Sequence, residues 1–361
     1  MPNRIRTAVI GTSWWADGAH LPGLRALPGV DLVALCGRNP ERLAALASKY
    51  SIPRTFTDYR QMLAEMNPGV VVVLTPNHEH ASMTLAALES GAHVICEKPL
   101  ALSAAQAEQM LERAEQLGRR HMTFLTYRGV AGPRFVKQLI ASGYIGRLYH
   151  AQACYLHGSW LNPNRLASWK TTLAQGGSGV LGDLGAHVID LLQWWFGPAS
   201  RAAGTLATFI TERLRADGAQ AKVETDDAAA FTVEFSGGGH GTVQLSRVAA
   251  QRHNYQRFEL YGSEGMLVYE YDEPLAHTGR VSGARVGEGE PKELAIPSEL
   301  SEGLVGQDTF PAVYRALTAP FFASLTQPGP TPSPNFADGL AGQKVIDAVA
   351  RSVKSEKWEA T

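Results

Sequence analysis

The segment VVVVLTPNHEHASMTLAALESGAHVICEKP, Val70 to Pro99, decides how the N-terminal third of the chain is read. Its first run, VVVVL, is apolar at every position, too continuous for a strand with one face in water, and therefore reads as a strand buried on both faces. HASMTLAALES follows as a helix, closed by Gly91, which supplies a left-handed cap. AHVIC is a further buried strand, and it stops abruptly on Glu97, Lys98 and Pro99. Buried strands joined by a helix make a parallel β-α-β unit.

The same alternation extends outward. Ile5–Ile10 and Asp31–Cys36 read as strands with a helix through HLPGLRAL between them, and Asn39-Pro40 supplies an N-cap and a first-turn proline for ERLAALASKY. Thr57 to Glu65 is helical, Ser103 with Gln106 forms a capping box for a helix running to Gly118, and HMTFLTY reads as a strand. Residues 1–125 are thus expected to form an α/β domain with a doubly wound, Rossmann-like parallel sheet. Beyond it the period changes to two. GRLYHAQACYL, AAAFTVEF, HGTVQLSRV, RFELYGSEG and MLVYEY are alternating strands, several joined by Gly-rich turns, so residues 126–361 are expected to form an α+β domain around a large open, mostly antiparallel sheet. RFVKQLIASG, DLGAHVIDLLQWW and FADGLAGQKVIDAVARSV read as helices, the last free to pack back on the first domain. Gly279 to Pro297 has a loop-like composition.

Composition narrows the function. The 361 residues are 45% hydrophobic and 19% charged, with 33 Lys plus Arg against 34 Asp plus Glu, so no global field draws the chain to nucleic acid or anionic lipid. The expected partners are a small-molecule substrate and further copies of the chain, as a homodimer or homotetramer through the open C-terminal sheet. Cys36, Cys96 and Cys154 are widely spaced and lack CxxC spacing, which points to buried thiols in a reducing compartment. With a strand pattern close to the N-terminus and no apolar run of about 20 residues, a cytoplasmic location without membrane attachment is expected.

The turn after the first strand is GTSWWA, where a dinucleotide fold carries GxGxxG or GxGxxA. Gly11 can make the tight turn and Ala16 can pack against the sheet, while Ser13 stands where the backbone approaches a pyrophosphate; Gly11, Thr12, Ser13, Trp14 and Trp15 are the expected phosphate-side contacts. An acidic residue about 20 positions on would read the ribose. Asp31 has that spacing but opens its strand, about 20 Å from the carboxyl edge at ~3.3 Å per residue. The strand ends instead at Cys36-Gly37-Arg38-Asn39, without a carboxylate. Gly37 leaves room and Arg38 supplies a planar cation, which favours NADP and leaves NAD as the alternative; an aspartate at position 37 would be expected to favour NAD. Thr75, Pro76, Asn77 and His80, after the third strand, fall at the same edge. His78 and His80 form an HxH pair without a third ligand nearby, so no metal is expected. Glu97 and Lys98 end the next strand there too, with Pro99 fixing the direction of the lysine.

A second constellation lies in GGSGVLGDLGAHVID, Gly176 to Asp190. Asp183 and His187 stand four apart and would share one face of a helix. The glycines upstream allow close approach of backbone to a ligand.

With these motifs in place the chain resembles the glucose-fructose oxidoreductase and inositol dehydrogenase (Gfo/Idh/MocA) family. The resemblance rests on TPNxxH at Thr75–His80, AALESGAHVICEKPLA at Ala86–Ala101, GGSGVLGDLGAHVIDL at Gly176–Leu191, and the later TDDAAAF and ELYGSEG. It implies that Lys98, Asp183 and His187 form the catalytic group of a dehydrogenase or reductase dependent on NAD or NADP. The glycine-rich loop matches at Gly11 and departs at Ser13 and Ala16. Oxidising a secondary alcohol releases a hydride from carbon and a proton from oxygen, so a base is needed. His187 suits that role with Asp183 orienting it, and Lys98 can stabilise charge on the oxygen. The implied substrate is a sugar, a polyol such as an inositol, or a sugar derivative; Tyr127 and Arg128, and Trp169 and Lys170 before the glycine run, read equally as substrate contacts or as structural residues. Non-sugar diols or carbonyl compounds, and a non-catalytic nucleotide or sugar sensor, remain as alternatives.

Overall fold

A computed structural model describes residues 4–272, 278–302 and 310–361, which divide into two compact units. The first comprises residues 1–129 with 308–340, and the second 130–307 with 341–361. Thus the second domain expected from 126 onward gives up residues 308–340, which include the helix Phe310–Ser324, to the first unit.

In the first unit β1 (Ile5–Ile10), β2 (Val30–Cys36), β3 (Thr55–Phe56), β4 (Val70–Val73), β5 (His93–Cys96) and β6 (His121–Thr123) form a parallel sheet in the order β3-β2-β1-β4-β5-β6. Every residue of β4 is fully buried. Separate apolar clusters lie against the two sheet faces, as strands without a polar face require. The connections are α1 (Leu21–Arg25), α2 (Pro40–Lys49), α3 (Tyr59–Met66), α4 (Asn77–Glu89) and α5 (Ala104–Gln116); of the expected caps, Asn39 and Pro40 open α2, Gly91 follows α4 at φ +91° and Ser103 opens α5. Asn39 accepts the Arg42 N–H at 2.9 Å and Asp58 the Arg60 N–H at 2.8 Å. The box at Ser103 is shifted: Ser103 accepts from Gln106 N, but the Gln106 side chain reaches back to Leu102 N rather than to Ser103 N. The helix expected through HLPGLRAL is α1, entered from a wide π-type turn over Ala16–His20. One local expectation is revised. HMTFLTY leaves the sheet after Thr123 and coils into a short 3-10 turn over Thr126–Gly129, since the neighbouring strand β5 ends at Cys96, whose carbonyl accepts the last ladder bond from Phe124 N.

The second unit opens with α6 (Ala131–Ala141) and β7 (Leu148–Leu156), followed by α7 (Leu173–Gly176), α8 (Val180–Asp183) and α9 (Gly185–Phe196). Its remaining strands are β8 (Ala199–Ala207), β9 (Glu212–Leu214), β10 (Gln220–Lys222), β11 (Ala228–Phe235), β12 (His240–Ser246), β13 (Tyr255–Gly262), β14 (Gly265–Tyr271), β15 (Arg280–Arg285), β16 (Lys292–Glu293) and β17 (Glu359–Ala360). All but the β9-β10 hairpin join one nine-stranded sheet, β16-β15-β14-β13-β7-β12-β11-β8-β17. Pairing is antiparallel except between β7 and β12. The expected loop at Gly279–Pro297 contains β15 and β16, an edge pair whose mixed polarity hides the strand period. The helix Phe336–Ser355 falls to the first unit up to Leu340 and to the second from Ala341. Among the described residues no helix is long and apolar enough to cross a membrane.

Candidate active site

The first unit presents its chemistry at the carboxyl ends of β1, β2, β4 and β5. Gly11 ends β1 with φ +127°, and a Cβ there would lie 2.6 Å from the Leu74 carbonyl oxygen, so the position admits only glycine. Ser13, in the place of a second glycine, is exposed and accepts the Ala16 N–H at its Oγ, pinning the start of the wide turn. Trp14 is 75% exposed and stacks edge-on against Trp15. Gly37 packs directly against Thr12: a Cβ at 37 would stand 2.5 Å from Thr12 Cγ2, so the room expected there is already taken by the threonine. Arg38 projects from the end of β2 as an exposed side chain, and Arg42 Nε donates to the Thr12 carbonyl.

Thr75 and Pro76 lead into α4, with Asn77 buried at its first turn. His80, 1% exposed, spans two loops, its ring nitrogens facing the Thr75 carbonyl at 2.9 Å and the Pro99 carbonyl at 3.0 Å. Burial holds His80 below the usual imidazole range, against the upward pull of the two carbonyls. His78 lies 3.3 Å from Glu79.

Glu97 is the centre of this edge. It is buried, its Oε1 accepts from Trp15 Nε1 at 2.7 Å and from His20 Nε2 at 2.8 Å, and its Oε2 accepts the backbone N–H of Lys98 at 3.0 Å. Burial pushes the carboxyl up, but the hydrogen bond and charge of His20, the charge of Lys98 and the Trp15 N–H outweigh it and leave Glu97 below the ordinary glutamate value. Tyr127 is buried in the 3-10 turn. Arg128, also buried, donates to Ser333 Oγ and pairs with Asp338 at 2.9 Å.

In the second unit the expected single helix from Asp183 to His187 is broken. Asp183 ends α8, Leu184 interrupts, and α9 starts at Gly185. The start of α8 is set from a distance: Asp226 accepts the N–H groups of Gly179 (2.6 Å) and Leu181 (2.7 Å), and a Cβ at Gly179 would lie 1.9 Å from the Asp226 carbonyl oxygen. Asp183 Oδ2 receives Lys170 Nζ at 2.7 Å, and that ammonium lies 5.4 Å from the Trp169 ring centre. His187 is buried, with its ring 6.3 Å from that of Tyr155, which donates to Asn254. The TDD triplet supports this region: Thr225 donates to the Lys170 carbonyl, Asp226 holds the Gly179 turn, and Asp227 pairs with the buried Arg247 at 2.8 Å and accepts from Phe209 N and Ile210 N. Burial pushes the His157 imidazole down to about 4; Asp183 pulls the other way, while Lys170, Arg165 and Arg247 add to the drop.

Sequence reasoning overlooked His20, Arg42 and His157. The one available signal was a histidine within the apolar stretch AHLPGL; Arg42 and His157 stood in ordinary surroundings. The residues present in the first unit fit a dinucleotide. The strand order reverses between β1 and β4, the crevice where such ligands bind, and there lie a turn that excludes a Cβ at Gly11, Arg42 on the Thr12 carbonyl and exposed Arg38 after β2.

Comparison with known proteins agrees. A family model described as the oxidoreductase family with an NAD-binding Rossmann fold matches residues 5–124, and the GFO/IDH/MocA C-terminal domain matches residues 134–268. Levoglucosan dehydrogenase of Pseudarthrobacter phenanthrenivorans is 31% identical over 343 residues, covering 89% of this chain and 87% of that one. D-glucoside 3-dehydrogenase of Escherichia coli is 30% identical over 246 residues, 65% of this chain and 68% of its own. A solved structure of levoglucosan dehydrogenase in complex with NADH and levoglucosan superposes with a TM-score of 0.90 at 28% identity, covering 99% of both chains.

Proposed function

Since the chain belongs to the Gfo/Idh/MocA family of oxidoreductases, with an NAD-binding Rossmann domain, we propose that it transfers a hydride between a nicotinamide dinucleotide and a secondary hydroxyl or ketone of a sugar, polyol or sugar derivative. The observation that carries the reading is the strand-end lysine. Lys98 follows a buried carboxylate held by three donors, an expensive arrangement at a position where a fold alone needs only a turn. The names of the similar sugar dehydrogenases support the substrate class.

The bound nicotinamide would accept or return the hydride. In the oxidative direction His187 takes the hydroxyl proton at a ring nitrogen, and Lys98 donates a hydrogen bond to the oxygen as charge develops on it. Asp183 stabilises the imidazolium, its charge tempered by Lys170 at 2.7 Å. Trp169 offers aromatic surface to the sugar, while Tyr127, buried in the 3-10 turn, we assign to the fold. Arg128 we assign to the fold, because Asp338 and Ser333 already engage it. Gly11 to Trp15 and Thr75 to His80 flank the dinucleotide. NADP is the preferred form in this reading, supported by exposed Arg38 and by the lack of a carboxylate from Cys36 to Asn39. We also assign the protein to the cytoplasm, on its free cysteines, and to a homodimer or homotetramer through the sheet face where Arg257, Glu259 and Glu270 remain part-exposed.

A panel of aldoses, glycosides and inositols screened by nicotinamide absorbance with each cofactor tests the reading. Turnover of at least one sugar is expected, and Lys98→Ala should lower kcat about 100-fold while its thermal transition moves only a few degrees. Tight nucleotide binding with no turnover of any panel member would overturn it.

A further inference from the structure

His20 has no role in the scheme above, yet its side chain is fully buried at the crevice. The wide turn Ala16–His20 carries it under Glu97, and its ring packs against Phe124 at 4.3 Å and Tyr314 at 5.3 Å between ring centres. Nε2 donates to Glu97 Oε1, which leaves Nδ1 facing the Tyr314 hydroxyl at 3.4 Å. The same carboxylate oxygen takes the Trp15 indole N–H, and the other takes the Lys98 amide. One side chain therefore ties the nucleotide turn after β1 to the lysine after β5, across the end of the intervening β4. A carboxylate this deeply buried is held by its hydrogen-bond donors; the three donors fix its position, and its position fixes theirs.

We propose that His20 is a positioning residue for hydride transfer, holding Glu97 so that the Trp15 side of the nucleotide turn and the backbone of Lys98 keep one fixed relation. The inference rests on the role given to Lys98 above. His20 touches neither the sugar nor the reacting atoms; it acts through Glu97.

The test combines kinetics, nucleotide binding and amide exchange on the whole protein. With the best sugar of the panel and saturating nucleotide, His20→Ala should lower kcat at least tenfold and leave the KM of the sugar within twofold. His20→Gln, whose amide can still donate to Glu97, should recover most of the loss. His20→Ala combined with Lys98→Ala should turn over no more slowly than Lys98→Ala alone, because both changes remove one effect. Without sugar, hydrogen exchange should quicken together at residues 12–16 and 97–101 in His20→Ala, and calorimetry should show NADH or NADPH binding at least threefold weaker. If His20→Ala does not fold, Glu97→Gln takes its place with the same expectations. A folded variant with kcat within twofold of the unmodified chain, or losses that multiply in the double variant, would overturn the positioning role. Lys98→Ala with unchanged kcat would overturn the reading of Lys98 itself, and the positioning role with it.

Discussion

Gly37→Asp is the simplest way to provide a carboxylate for the ribose diol of NAD, and the structure predicts that it fails alone. The new Cβ would lie 2.5 Å from Thr12 Cγ2 and 2.9 Å from its Oγ1. Carbon atoms sit comfortably at about 3.5 to 4 Å, so roughly an ångström must be found. The atoms in the way belong to the nucleotide turn, whose Thr12 carbonyl is also held by Arg42. Overpacking of this kind costs about 1 to 3 kcal/mol, and the strain falls on the surface that receives the cofactor. Hydrogen bonds from ribose hydroxyls to a carboxylate return about 1.5 to 3 kcal/mol. The two cancel, so Gly37→Asp should bind NAD within about threefold of the unmodified chain while losing NADP tenfold or more through charge repulsion, each tenfold being ~1.4 kcal/mol. Thr12→Gly combined with Gly37→Asp removes the obstruction and should bind NAD about tenfold tighter than the single variant. Titration calorimetry with both cofactors on the three proteins reads these differences directly. A single variant that binds NAD as tightly as the double would refute the steric argument.

Asp183 and Lys170 should shift the pH profile of alcohol oxidation in opposite directions. Asp183→Asn removes the anion beside the ammonium and should lower the midpoint at which His187 becomes a base; Lys170→Met removes the cation beside the carboxylate and should raise it, and identical midpoints in the pH dependence of kcat/KM would refute the pairing. His121 Nδ1 accepts the Phe336 N–H at 3.0 Å, and burial pushes its imidazole down to about 4. The folded ring therefore stays neutral where the unfolded one protonates, near pH 6.5. Its contribution is complete above that pH and falls as pH drops towards 4, by about 2 kcal/mol at pH 5. His121→Asn should flatten the decline in unfolding free energy between pH 7 and 5 by that amount, and an unchanged slope in urea titrations would count against it.

The parallel sheet was legible because its signal is local. VVVVL is apolar throughout, AHVIC is apolar except for His93, and the caps at Asn39 and Ser103 act within three residues. Much of the site was not, because its determinants are remote in sequence. The turn at Gly179 that opens α8 depends on Asp226, more than forty residues away, and no helical spacing rule contains it. His20 meets Glu97 at a separation of 77 residues. Gly37 looked like open space for a ribose because only the fold brings Thr12 against it. The strands β15 and β16 at the end of the sheet escaped notice for a different reason: RVSGAR holds only Val281 and Ala284 as hydrophobic residues and KE none, so there is little apolar period to read.

Thr225, Asp226 and Asp227 lead directly into β11, and each holds a different loop of the second unit. Adjacent side chains at a strand alternate in direction, so a slip of one residue would carry all three away from their partners. The pairing of β11 with β8 and β12 and the arrangement around Asp183 are thus one degree of freedom. On the role proposed for Asp183, sheet register therefore conditions activity. A chain that closes its sheet in the wrong register should be compact and silent, and activity on refolding should return no earlier than the correct pairing of β11.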